Sequence, residues 1–162
     1  GFVAHLGRCP YTVHMSSIFE ISAPILLAEA LQRYPTLQAR VCAGFPSPAE
    51  DLQERSLSLD QILVTHPQAT YLMRVRGLSM VEAGIFDNDL LVVNRALKPR
   101  HNHIVVAIVD GEFTVKYLHQ RQGRIRLKAA NPTYPDIVPR DGQTLEVWGV
   151  VTSSTRQFGH GA

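Results

Sequence analysis

The stretch Ile104-Val-Val-Ala-Ile-Val109, Asp110-Gly111, Glu112-Phe-Thr-Val-Lys116-Tyr-Leu118 decides the fold. A continuous apolar run of strand length meets a two-residue Asp-Gly turn, and an alternating run returns from it. That is a β-hairpin signature. The pattern extends to both sides. Tyr71–Arg76 alternates, and Asp89–Asn94 carries four apolar residues in a row. Gln122-Gly123 turns the chain between Tyr117–His119 and Arg124–Ala129, and Leu145–Val151 supplies a closing strand with Trp148. Short strands at close spacing predict a compact, mainly β domain of mostly antiparallel strands.

Upstream the reading changes. Ser17-Ile-Phe-Glu20 has the form of a capping box, and Pro24 to Tyr34 reads as a short helix ended by Pro35. Thr36–Val41 reads as extended, Ser47-Pro48 as another helix start, and Ser58-Leu-Asp-Gln61 as the cap of a short helix that stops near His66-Pro67. The expectation is a flexible N-terminal arm with short helices, followed by the β domain. Residues 1–14 have no clear period and read as a cloning remnant or an alternative start before Met15.

Composition limits the function classes. At 162 residues and 45% apolar content the chain is one domain, or one domain plus an arm. Its net charge of +2 does not by itself mark a nucleic-acid binder. The basic cluster Arg121, Arg124, Arg126 and Lys128 reads as a solvated hairpin face rather than a phosphate-binding stripe. No apolar run reaches the roughly 20 residues of a membrane span. Cys9 and Cys42 do not form a disulfide framework, and a soluble, cytoplasmic protein is expected.

Two residues carry the candidate chemistry. Ser79 follows Gly77 at the end of a predicted strand, and Lys116 lies 37 residues later inside an apolar strand. A serine hydroxyl needs a base to remove its proton as it attacks. A lysine can be that base only when burial lowers its pKa enough to make it neutral. Of the three lysines, Lys98 precedes Pro99 in a turn-like stretch and Lys128 lies in the basic hairpin, which leaves Lys116, inside the apolar run, as the candidate. Backbone amides at Ser79 and Met80 are candidates to hold an oxyanion. Taken singly, a loop serine and a strand-edge lysine are ordinary features. His66, His101, His103 and His119 read as surface residues. His101-Asn-His103 lacks a third metal ligand at usual spacing, and Asp87-Asn-Asp89 reads as a turn rather than a calcium loop. No metal or cofactor is expected.

The ordered set Gly77-Leu-Ser-Met80, Gly84-Ile-Phe-Asp87-Asn-Asp89-Leu-Leu-Val-Val and Asp110-Gly-Glu-Phe-Thr-Val-Lys116 resembles the LexA/UmuD self-cleaving serine peptidases, in particular the UmuD/MucA branch. Cys42-Ala-Gly-Phe-Pro-Ser-Pro-Ala-Glu50, His66-Pro-Gln-Ala-Thr-Tyr71, Asn131-Pro and Val147-Trp-Gly-Val-Val151 extend the resemblance over about residues 41–152. It implies a nucleophile at Ser79, a general base at Lys116 and a scissile bond between Ala43 and Gly44. It implies an arm, 1–43, removed from a β-rich peptidase and partner-binding domain, 44–162. It further implies an SOS-response mutagenesis protein that forms homodimers, is stimulated by a RecA–single-stranded DNA filament, and serves an error-prone Y-family polymerase of the UmuC type. Direct sequence-specific DNA binding and membrane attachment are not expected. Two alternatives stand beside it: an interaction module of the same fold in which catalysis is secondary, and a truncated LexA or phage-type repressor.

Overall fold

The computed structural model describes residues 54–159 and two short upstream strands. These are β1 (Ile25–Leu26) and β2 (Arg33–Leu37). After them come β3 (Glu54–Ser58), α1 (Leu59–Leu63), β4 (Thr70–Arg74), β5 (Leu90–Asn94), β6 (Ile104–Val109), β7 (Glu112–Arg121), β8 (Arg124–Lys128) and β9 (Leu145–Thr155). Seven strands form one antiparallel sheet in the order β1-β4-β5-β9-β6-β7-β8. A separate two-stranded ribbon joins β2 to β3.

The expected hairpin is present with the expected register. Val109 faces Glu112 across Asp110-Gly111, both with positive φ, and Val105 faces Lys116. Positive φ at both central residues matches the right-handed strand twist, which is why Asp-Gly suits this turn. Gln122-Gly123 makes the same turn between β7 and β8.

The helix expected over Pro24–Tyr34 is corrected. Ile25–Leu26 pairs with Tyr71–Leu72 at the edge of the main sheet, and Arg33–Leu37 pairs with β3. Local helical spacing here yields to strand edges that need backbone partners. Pro35 lies inside β2, opposite Ser56. Both strands of a two-stranded ribbon are edges, where a missing amide hydrogen is tolerated. The single α-helix among the described residues, α1, stands where the Ser58 signal placed it. The Ser58 hydroxyl makes no capping bond there and is buried without a partner. The signals at Ser17–Glu20 and Ser47-Pro48 lie outside the described residues.

The core has two faces. Met73, Val75, Met80, Ile85, Leu91, Val93, Val106, Val115 and Ala130 pack on one. Val105, Ala107, Leu118, Leu127 and Val150 pack on the other. Trp148 closes one side of the first face, edge-on to Tyr71 and Phe113 and beneath the Arg95 guanidinium. Next to it, Gly149 lets β9 pass close to β5: a Cβ there would lie 2.7 Å from Val93 Cγ1. No helix among the described residues is long and apolar enough to cross a membrane.

Candidate active site

Lys116 sits at a particular place in the register. β8 pairs with β7 from Arg121 back to Tyr117 and then ends, so Lys116 is the first residue past that pairing. The chain leaving β8 turns away and meets the segment between β4 and β5. Ala130 N–H donates to Ser79 O (2.8 Å), Glu82 N–H donates to Ala130 O (2.9 Å), and Asn131 Nδ2 donates to Leu78 O (2.8 Å). The end of β8 therefore opens a space beside Lys116 and fills it with the serine loop.

That loop is fixed along its length. Gly77 (φ 97) takes a left-handed conformation that other residues rarely adopt, and its N–H donates to Asp87 Oδ1 at 2.6 Å. Met80 and Ile85 enter the core beside Val115 and anchor the loop by burial. Asp89 at its far end is 1% exposed. Arg156, just past β9, grips it with two bonds of 2.8 and 2.9 Å and lies 3.7 Å over the Phe86 ring. The Arg156 side-chain hydrogen bonds hold the Asp89 carboxyl below its ordinary range.

Ser79 and Lys116 meet. Both are 3% exposed, and Lys116 Nζ lies 2.8 Å from Ser79 Oγ. Nζ also donates to Val115 O at 3.1 Å and to Thr114 Oγ1 at 3.3 Å. Burial lowers the Lys116 pKa from its ordinary 10.5 to about 8. A neutral amine that donates two hydrogens to those oxygens can turn its lone pair toward the serine hydroxyl. Such an arrangement can take a proton from an attacking alcohol and later return it to a leaving amine.

The other sequence candidates fall elsewhere. Met80 is buried beside Ser79. His101, in the turn before β6, stacks edge to face at 4.7 Å on His119 in the far part of β7. His66 Nδ1 meets Asn94 Nδ2 at 2.9 Å, and His103 Nδ1 accepts from Arg100 N–H. The described residues contain no group of three or more His, Cys, Asp or Glu able to hold a metal. Ala43 and Gly44 lie outside the described residues, as do Cys9 and Cys42. Sequence reading passed over Asp87, Thr114, Asn131 and the Asp89–Arg156 pair as parts of the site. Thr114 carried a signal, since it lies two positions from Lys116 on the same strand face. Arg156 carried none.

The chain matches the family described as Peptidase S24-like over residues 35–152. It is 43% identical over 138 residues to protein MucA of Salmonella typhimurium, spanning 85% of this chain and 91% of that protein. It is 45% identical over 119 residues to protein SamA of Salmonella typhimurium strain LT2, spanning 74% and 82% of the two chains. It is 39% identical over 133 residues to the LexA repressor of Cupriavidus taiwanensis, spanning 82% of this chain and 61% of the repressor.

Proposed function

Because the chain belongs to the Peptidase S24-like family, as a UmuD/MucA-type member of its LexA/UmuD group, we propose that it is an SOS-mutagenesis protein that cuts its own Ala43–Gly44 bond. Ser79 is the nucleophile and Lys116 the general base. The observation that carries this reading is the 2.8 Å approach of a buried, pKa-lowered amine to a buried serine hydroxyl.

The steps follow from that approach. Neutral Lys116 takes the Ser79 hydroxyl proton as Oγ attacks the Ala43 carbonyl carbon. Negative charge moves to the carbonyl oxygen, where the Ser79 and Met80 amides are the proposed donors. The C–N bond breaks, and the Lys116 ammonium protonates the departing Gly44 amine. A water, deprotonated by the same lysine, then releases the Ala43 carboxylate from Ser79. Small residues at the cut let the backbone lie close to a recessed nucleophile.

The segment removed is 1–43 and the retained domain is 44–162. The retained domain acts as a homodimeric accessory subunit of a UmuC-type Y-family polymerase, and a RecA–single-stranded DNA filament stimulates the cut. Filament binding favours the conformation in which arm and site meet. Mass spectrometry tests the site directly. After incubation at alkaline pH, or with RecA, single-stranded DNA and nucleotide, a fragment starting at Gly44 is expected. A cut elsewhere, or normal processing of Ser79→Ala, overturns the assignment.

A further inference from the structure

A second surface lies on the same strand as Lys116. The β7–β8 register sets Tyr117 opposite Lys128, His119 opposite Arg126 and Arg121 opposite Arg124. Because side chains alternate, all six share one face, while Leu118 and Leu127 point into the core on the other. Like charges directly opposite each other destabilise a strand pair, and this hairpin carries such a pair in Arg121 and Arg124. Among the described residues, Asp136 forms the only ion pair with the row, to Arg126 at 3.5 Å. His119 is held below its ordinary pKa by partial desolvation, and also by Arg126, His101, Arg121 and Lys128. The field at that ring is positive.

Rings lie in the row and against it. His101 stacks on His119, and Tyr117 stands one position further in. At the inner end a cleft of about 440 Å³ is lined by Tyr117, His119, Asn102, Lys128, Ala129 and Glu82. An acidic polypeptide would answer the cations and leave the rings unused. A single-stranded nucleic acid answers both, with phosphates for the cations and unpaired bases for the rings. We infer that this face of the β7–β8 hairpin binds single-stranded nucleic acid without reading its sequence. The surface is separate from Ser79–Lys116 chemistry and stands whether or not the chain cuts itself.

The test measures fluorescence anisotropy of a labelled oligo(dT) of about 20 nucleotides on full-length Ser79→Ala protein. Three unpaired cations predict a log–log salt slope of about −2, hence roughly 20-fold weaker binding on going from about 50 to 200 mM salt. Arg121→Gln/Arg124→Gln/Lys128→Gln should abolish that salt dependence and lose at least tenfold in affinity, with its thermal midpoint preserved. If the triple variant unfolds, Arg124→Glu alone must weaken binding. The inference is overturned if the parent protein does not bind at low salt, if the folded variants bind equally well, or if labelled polyglutamate or duplex DNA binds as tightly as oligo(dT).

Discussion

Ser79 and Lys116 are equally buried, at 3% exposure each, yet the chain holds them by opposite means. Lys116 is placed by ladder register: Val105 stands opposite it, and its backbone needs nothing from distant sequence. Ser79 lies on a loop, placed by separate bonds from Asp87, Ala130 and Asn131 and by the Arg156 grip at the loop's end. The difference is also energetic. The strand spends stability on a desolvated amine, whereas each loop bond adds stability. Substitutions on the two sides should therefore move activity and stability in different combinations.

The largest effect belongs to the lysine. Lys116→Met should slow the proposed self-cleavage by at least about 1000-fold, since it removes the proposed base. It should also stabilise the fold. The folded pKa of about 8 lies below the ordinary 10.5, so between those values the unfolded chain binds more protons and stability rises with pH. At pH 7 the full penalty is present, about 3 kcal/mol, and Lys116→Met relieves it. Urea denaturation should show the variant more stable at pH 7, with the gap shrinking toward pH 10.5. A gap that widens with pH would contradict the linkage. In the parent chain the cleavage rate should climb about tenfold per pH unit and level off above about pH 8. A rate that peaks in acid would exclude Lys116 as the base.

Arg156 ranks second. Arg156→Met leaves Asp89 buried without its counter-charge, held only by the Phe86 N–H, and the melting temperature should fall by roughly 5–10 °C. Asp89 is held below its ordinary pKa, so its contribution is present above about pH 4 and fades as acid protonates it. The melting-temperature difference between parent and variant should therefore narrow in acid. An unchanged melting temperature at pH 7 would show that the grip adds nothing.

The same contrast explains what was legible in the sequence. β6, β7 and the Asp110-Gly111 turn could be read because period, turn chemistry and pairing all lie within fifteen residues. Lys116 inherited that clarity. Gly77 and Ser79 were visible as a turn with a serine. The bonds that bury the serine were not, because they come from residues 53 and 51 positions away, at Asn131 to Leu78 and Ala130 to Ser79, and from Arg156. Pro24–Tyr34 misread for a related reason. Ile25 and Leu26 follow the free edge of β4, a partner 45 residues distant that local spacing does not reveal.

The smallest effects separate the loop bonds from one another. Asp87→Ala removes a carboxylate from the Gly77 amide, and Gly77 sets the turn that aims Ser79. Cleavage should slow by about tenfold, the worth of a charge-assisted bond. Asn131→Ala releases the Leu78 carbonyl and, outside the serine loop, the Thr133 N–H, while Ala130 still holds the Ser79 carbonyl, so about threefold is expected. Neither change alters the burial of Lys116, so the pH midpoint of cleavage should stay near 8 in both. The midpoint is what distinguishes positioning from base chemistry. A shift in either variant would mean that the loop also sets the lysine's environment, and that loop and strand are one device rather than two.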